Sequence, residues 1–249
     1  MSLLTLAYSS LAERAKNIKV TAGFEALLVI QNPNESRYET PETINKDKVY
    51  ELISSGVAKS RNKAIELCQT KYLVFADDDI EFVAEGLRQV VEHLEAHPEV
   101  DIVLAQASDP AGKLRKSYPA APQTLTLLNS ARAATYEMVI RVDRIKELAV
   151  RFDENFGAGV ENYLGDEYIF IADLIRAGGR GEFLPVTIAN HPAESSGSGW
   201  GTKRDRIARA RVFKRVFGFV APAVRLAFGL RRVNELGGLG KLALFVLGR

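Results

Sequence analysis

Residues 71–80 constrain this chain more than any other segment, because a short apolar run leads directly into three consecutive aspartates. The run at 72–76 predicts a strand buried on both faces of a parallel sheet. Asp77, Asp78 and Asp79 repel one another unless a cation lies among them. Side chains alternate along a strand, so Asp77 and Asp79 are expected on one side and Asp78 on the other. Ligands of open α/β sheets bind at such strand ends, which predicts a hard divalent metal site beside a phosphorylated ligand.

Strand-like and helix-like segments alternate along the first half of the chain. The predicted strands cover 2–9, 26–31, 49–54, 72–76 and 101–105, and the predicted helices begin near 11 and cover 58–69 and 83–96. This alternation is typical of a doubly wound, mostly parallel sheet flanked by helices. Residues 106–134 contain three prolines and have weak periodicity, so loops and a short helix are expected to cover the site. Further strands are predicted at 136–142 and 182–189, and further helices at 145–149 and 166–177.

Charge divides the chain into two parts. Residues 203–249 carry twelve lysines and arginines against two acids, a net charge of +10, and the rest of the chain carries −8. A Ser/Gly-rich stretch at 195–199 lies just before this change. We therefore expect a body at 1–202, divided at about residue 105. The basic helical appendage at 203–249 follows it.

Cysteine content and apolar runs bear on the compartment. A single cysteine, Cys68, excludes an internal disulfide framework and fits a reducing compartment, and its place in a predicted helix favours a buried core thiol. No signal peptide is recognisable at the start, and no apolar run reaches the ~18 residues that cross a bilayer. These features predict a cytoplasmic protein.

A second acidic group, Asp166 and Glu167, opens the predicted helix at 166–177. Acids at a helix start also complement the helix dipole, and taken alone that structural explanation is favoured. However, the segment 156–165 before them contains three glycines, which let backbone approach a ligand closely. A carboxylate there could act as a general base toward a hydroxyl.

Two further positions are candidates for ligand contacts. His191 follows the last predicted strand, at the edge where ligands bind, and it could contact a metal or a diphosphate or simply pack. Arg61 lies in a basic helix start at 60–63, which suits a diphosphate, although solvated helix starts are equally common.

Taken in order, these motifs resemble the family 2 inverting glycosyltransferases of the GT-A fold. The matching segments are VAKSRNKA at 57–64, FADDD at 75–79, FDENF at 152–156, GDE at 165–167, and His191 with ESSG at 194–197. The resemblance spans about residues 3–200. It implies a GT-A type sheet with a nucleotide-sugar half at about 1–105 and an acceptor half at about 106–202. It also implies transfer of a sugar from a nucleoside-diphosphate sugar, a UDP-sugar above all. The acceptor it implies is a hydroxyl of a glycan or lipid-linked molecule in bacterial surface polysaccharide synthesis.

The resemblance also implies roles for individual residues. Asp79 would bind Mn²⁺ or Mg²⁺, with Asp77 and His191 as further ligands. Glu167 would be the catalytic base, with Asp166 as its rival. Nucleotide contacts would come from the remaining motif positions, namely Tyr8, Gln31, Asn32, Arg61, Asp77 and Asp78. Asp78 is in addition expected to have a structural part. Gln31 and Asn32 stand where the family often has an acid for the nucleobase.

The basic appendage allows three interpretations. Its aromatic, amphipathic segment at 203–232 could lie on the anionic inner face of the cytoplasmic membrane or pack on the acidic body. Nucleic acid is not expected, because no recognition motif is present. Pro222 is predicted to break or kink the helix there.

Two other functions remain as alternatives to glycosyl transfer. A nucleotidyltransferase would carry a glycine-rich loop after the first strand, but residues 9–14 (SSLAER) contain no glycine. A non-catalytic, membrane-associated sugar-nucleotide binding protein would bind the donor without transfer. The motifs identify neither the sugar nor the acceptor.

Overall fold

A mixed, mostly parallel sheet lies at the centre of the computed structural model, which describes residues 2–191 and 202–249. Nine strands occur in the described residues: β1 Leu4–Leu11, β2 Glu25–Gln31, β3 Val49–Leu52, β4 Tyr72–Ala76, β5 Glu81–Phe82, β6 Ile102–Ser108, β7 Gln123–Thr124, β8 Met138–Arg141 and β9 Gly181–Asn190. Their order is β3-β2-β1-β4-β8-β6-β9-β5, and β7 pairs with β9. β5, β7 and β8 run antiparallel to their neighbours.

Helices flank this sheet and form the C-terminal region. The α-helices are α1 Val57–Leu67, α2 Ala84–Ala96, α3 Val142–Glu147, α4 Asp166–Arg176, α5 Lys203–Phe217, α6 Ala221–Leu230, α7 Val233–Leu236 and α8 Leu239–Leu247. Short 3-10 helices cover Ala12–Asn17, Lys46–Lys48, Thr135–Glu137 and Gly218–Val220. None of the helices in the described residues has the length and apolar character needed to cross a bilayer.

Both faces of the sheet are buried, as the continuous apolar strands predict. Leu6 of β1 and Val74 of β4 belong to one hydrophobic cluster, whereas Ala7 and Phe75 belong to a second cluster. Alternate side chains of a strand point to opposite faces, so the two clusters are the two cores of a doubly wound sheet. The prediction of a GT-A type sheet flanked by helices is confirmed.

The sequence misplaced some elements outside the central strands. The prediction of a short helix within 106–134 is wrong. Between 109 and 134 the chain forms turns and β7, which pairs with β9. Prolines at 110, 119 and 122 remove donors from any helix there, and strand pairing satisfies part of the backbone instead. The helix expected from 11 is a 3-10 helix, because β1 continues to Leu11.

Helix α5 of the basic region packs on the body. Val212 and Val216 join a hydrophobic cluster with Ile169 of α4. Arg215 pairs with Asp153 (2.8 Å) and Asp173 (2.6 Å), both from the acidic body. Of the interpretations of the basic region, packing on the body therefore applies to α5. Part of the positive charge of this region pairs with the negative charge of the body.

The break in the basic region lies before Pro222 and not at it. α5 ends at Phe217 and is followed by Gly218, whose φ of 57° is costly for other residues. Pro222 lies in the first turn of α6. Proline is tolerated there because the first-turn N–H groups have no intrahelical partner. The stretch at 195–199, the ESSG segment and the expected boundary at 202 fall on or beside residues 192–201, which lie outside the described residues.

Candidate active site

A cavity of about 870 Å³ opens at the carboxyl ends of β1 and β4. Its lining contains both acidic groups singled out from the sequence, Asp77–79 and Asp166–Glu167, together with Arg61 and His191. These residues are up to 130 positions apart in the chain (61 to 191), and the parallel topology brings their strand and helix ends to the same edge of the sheet. The expected convergence is therefore present in the structure.

The three aspartates have different surroundings. Asp78 is buried; its Oδ2 accepts a hydrogen bond from Ser10 Oγ (3.0 Å) and its Oδ1 lies 2.5 Å from Arg14 Nη2. Burial raises the pKa of Asp78, while Arg14 and Ser10 oppose that rise. Asp77 and Asp79 are half-exposed in the cavity. The alternation expected from a strand is kept in the turn after β4, and Asp78 holds that turn to β1.

Asp77 and Asp79 provide the oxygen atoms that a divalent cation could use. Asp79 Oδ1 lies 3.8 Å from His191 Nε2, and the His191 ring stacks on Tyr136 with 5.0 Å between centroids. Within residues 2–191 and 202–249, no three His, Cys, Asp or Glu side chains form a ready metal site. Carboxylate oxygens such as those of Asp77 and Asp79 are ligands that Mg²⁺ and Mn²⁺ prefer, and further ligands would have to come from phosphate oxygens and water.

Arg61 joins the two acidic groups. This α1 side chain is buried, ion-pairs with Asp166, and lies 3.3 Å from Asp77 Oδ1. Burial lowers the pKa of Arg61, but the negative charges of Asp166, Asp77 and Glu167 raise it by more than burial lowers it. The pKa of Arg61 is therefore above its ordinary value. The guanidinium is engaged with these carboxylates, and its contact with a diphosphate stays a prediction. Arg61 links the turn after β4 to the start of α4.

Asp166 and Glu167 begin α4 but play different parts. Asp166 is buried against Arg61, and a Cβ at Gly157 would lie 2.9 Å from its Cγ, so the glycine-rich loop needs glycine there. Glu167 lines the cavity, and its Oε1 accepts a hydrogen bond from Thr135 Oγ1 (2.9 Å). Desolvation, followed by the charge of Asp166, raises the pKa of Glu167 to about 8. Glu167 is thus the carboxylate poised near neutral pH, as a general base requires.

Residues 34–151 match the family model described as Glycosyl transferase family 2. This segment, a little under half of the chain, is similar to family 2 glycosyltransferases. The matched segment contains Arg61 and the three aspartates but ends before Asp166. The match agrees with the resemblance found from the motifs at 57–64 and 75–79.

Solved structures with the same fold include those of TarS from S. aureus. The complex of TarS 1-349 with UDP-GlcNAc is 14% identical to this chain, with a TM-score of 0.55 over 99% of this chain and 82% of that one. The UDP complex is 16% identical, with a TM-score of 0.53 over 99% and 81%. A longer TarS chain is 15% identical, with a TM-score of 0.54, and this chain spans about half of it (49%). A search of curated proteins finds no match.

Of the residues expected to contact the nucleotide, Gln31 lines the cavity, whereas Tyr8 and Asn32 are buried. Tyr8 is buried in the core and its hydroxyl donates to Lys19 O (3.3 Å), so the expectation that it faces the nucleotide is corrected. Gln31 lines the cavity, with Oε1 accepting from Gly56 N (2.9 Å). Asn32 is buried and donates to Glu51 Oε1 (2.7 Å). Both amides brace the loops after β2 and β3.

Sequence reasoning missed the part of the cavity wall that comes from the C-terminal helices. The lining includes side chains of α5, α6 and the segment after α6, namely Arg209, Val212, Phe213, Phe228 and Arg232. A Cβ at Gly165, whose φ is 87°, would lie 2.5 Å from Val212 Cγ2, so α5 presses on the loop that carries Glu167. The sequence of 203–232 interleaves aromatic and basic residues, but nothing in it indicates a contact with residue 165.

Proposed function

We propose that the protein is a metal-dependent inverting glycosyltransferase that moves a sugar from a UDP-sugar to a hydroxyl of a glycan or lipid-linked acceptor. The observation that carries this proposal is the Arg61 bridge, which holds a metal-binding type of carboxylate pair and a candidate base in one cavity. The UDP-GlcNAc and UDP complexes of TarS support a UDP-sugar as donor. A role in surface polysaccharide synthesis, at the cytoplasmic face of the membrane, stays a prediction.

The donor side would be organised by the turn after β4. Asp79, with Asp77 and His191, would hold Mn²⁺ or Mg²⁺, which when bound offsets the negative charge that builds on a leaving nucleoside diphosphate. Asp78 keeps this turn in place through Ser10 and Arg14. Arg61 prevents Asp77 from moving independently of α4.

The acceptor side would be organised by the start of α4. Glu167 takes the proton of the acceptor hydroxyl as its oxygen bonds to the anomeric carbon, while the bond from that carbon to the diphosphate breaks. The electron pair leaves with the nucleoside diphosphate. One displacement inverts the anomeric centre and needs no enzyme nucleophile. Thr135 orients Glu167, and Asp166 acts on it by charge and by fixing the start of the helix.

Nucleotide selectivity and metal dependence can be read from thermal stability. We expect UDP with Mn²⁺ to raise the unfolding temperature more than UDP alone, Mn²⁺ alone, or GDP, ADP and CDP with Mn²⁺, because a ligand that binds the folded state stabilises it. Differential scanning fluorimetry measures this directly. Equal stabilisation by UDP with and without metal would argue against the metal role, and stabilisation by none of the diphosphates would argue against the proposed donor.

The two alternatives are separated by product analysis. A nucleotidyltransferase releases pyrophosphate from a nucleoside triphosphate and a sugar phosphate, and a binding protein gives the UDP-dependent thermal shift without consuming a UDP-sugar. We expect slow release of UDP from the donor even without acceptor, since water can replace the acceptor hydroxyl.

A further inference from the structure

Two helices of the C-terminal region, α6 and α8, turn apolar faces outward. Each exposes residues at the spacing i, i+1, i+4, i+5 and i+8, which defines one face of an α-helix. The exposed residues in these two sets are Pro222, Ala223, Leu226, Ala227 and Leu230 on α6, and Leu239, Gly240, Ala243, Leu244 and Leu247 on α8. Neither set contains a charged side chain. A helix on the surface of a protein normally presents its polar residues on this side.

The inward side of the pair shows the reverse arrangement. Arg225, the charged residue of α6, is buried and lies against the end of α8, where a Cβ at Gly248 would be 2.7 Å from its Nη1. Gly229 packs against Leu242, so the two helices run antiparallel. Their core, with Phe245, rests on Phe213 of α5. The hydrophobic core between α5, α6 and α8 is therefore formed by the inward side chains, and the outward apolar faces take no part in it.

The connection between α5 and α6 extends this apolar surface. Phe219 is 90% exposed and Val220 is also exposed, and at the start of α8 Leu239 is 73% exposed. A single exposed apolar side chain is ordinary, but a set on adjoining elements marks a surface that becomes covered. We name Phe219, Val220 and the exposed residues of α6 and α8 the α6/α8 face.

Charge decides which partner fits the α6/α8 face. Exposed cations follow or precede its apolar residues closely in the chain: Lys214, Arg231 and Lys241. The two acids of residues 203–249 are engaged, Asp205 with Thr202 and Glu235 with Arg232 (2.5 Å). A second copy docked by two-fold symmetry would bring these cations against one another. An anionic lipid surface instead pairs with the cations and takes up the apolar side chains at its acyl boundary.

We propose that the α6/α8 face docks on an anionic lipid surface. This places the lipid contact on α6, α8 and Phe219. Apart from Lys214 near its end, α5 takes no part, because its Arg211 and Arg215 pair with Glu161 (2.6 Å), Asp153 and Asp173. The contact does not depend on the proposed function, since it is measured without donor or acceptor. Because Phe228 of α6 lines the cavity, docking holds the catalytic cavity beside the lipid surface.

Vesicle flotation with a matched pair of triple variants tests the proposal. The face variant is Phe219→Ser, Leu230→Ser, Leu239→Ser, and the control variant replaces exposed apolar residues of the body, Ile53→Ser, Leu114→Ser, Leu128→Ser. We expect wild type and control to float with phosphatidylcholine vesicles that contain phosphatidylglycerol, and not with phosphatidylcholine alone. The face variant should bind at least about tenfold more weakly, because three apolar side chains no longer enter the interface.

Each outcome bears on the proposal. Since all six positions are exposed, equal unfolding temperatures of the three proteins are expected and show that the fold is intact. Equal flotation of the face variant and wild type, or no flotation of wild type, overturns the proposal. Light scattering measures the oligomeric state of the same proteins. If wild type does not float but forms a dimer, and the face variant is a monomer, a second copy of the chain covers the α6/α8 face and the proposal is overturned.

Discussion

Glu167→Gln is expected to lower kcat for sugar transfer by roughly 10²–10⁴-fold, the usual contribution of a positioned general base. Glutamine keeps the size of the side chain and can still accept from Thr135 Oγ1, so donor binding should stay close to wild type. Steady-state kinetics with a UDP-sugar and acceptor would show the loss in kcat with little change in KM for the donor.

The control for this substitution is Glu161→Gln, in the same glycine-rich loop. Glu161 is exposed and pairs with Arg211, away from Thr135 and Arg61, so its variant should transfer sugar at the wild-type rate. If Glu167→Gln keeps full turnover while Asp166→Asn loses it, the base is Asp166 and the assignment made here is wrong.

We expect the pH dependence of the transfer rate to reflect the ionisation of Glu167. Its pKa is raised from 4.5 to about 8, so the base is largely protonated below that value and ionised above it. The rate of transfer should therefore rise with pH through about 8, and Glu167→Gln should remove this limb. A wild-type rate that is flat between pH 6 and 9 (roughly two units below to one above the pKa) would contradict a base role for Glu167.

Asp79→Ala is expected to abolish transfer and the response to Mn²⁺ together. A metal supplies several kcal/mol of charge stabilisation, which corresponds to a loss of at least about 10²-fold in rate. Asp79 is half-exposed, and its remaining neighbours His191 (3.8 Å) and Arg14 (3.9 Å) are also cavity residues, so its removal should leave the fold intact.

Asp143→Ala, an exposed aspartate on α3, serves as the control and should behave as wild type. The decisive reading is a titration of Mn²⁺ against the initial rate after treatment with a chelator. Normal turnover by Asp79→Ala, or by wild type in excess chelator, would exclude the metal role.

The central part of the site was predictable because strand burial and charge conflict there in a way that sequence alone reveals. The run before Asp77 can only be a buried strand, and three adjacent carboxylates at its end are costly without a function. Parallel topology then places Asp77 and Asp79 beside the start of α4, where Glu167 lies. The same reasoning failed for Tyr8, since a tyrosine near a strand end can turn into the core as easily as toward a ligand, and here it packs on Phe82.

The long-range contacts could not be predicted. Arg61 pairs with Asp166, 105 positions away, and local sequence contains no information about that distance. The basic region was ambiguous for a different reason. Its cations can pair with carboxylates of the body or with lipid, and the same sequence pattern allows both. Only the packing of α5 on α4 shows which arginines are already paired and which apolar faces are left outward.

A structure of the wild-type protein with a UDP-sugar and Mn²⁺ tests the central claim most directly, that one cavity holds the donor between the two acidic groups. We expect the metal to bridge the diphosphate and Asp79, and the anomeric carbon to face Glu167 across the space for an acceptor hydroxyl. A diphosphate bound without contact to Asp77 or Asp79 through a metal, or an anomeric carbon turned away from Glu167, would contradict it.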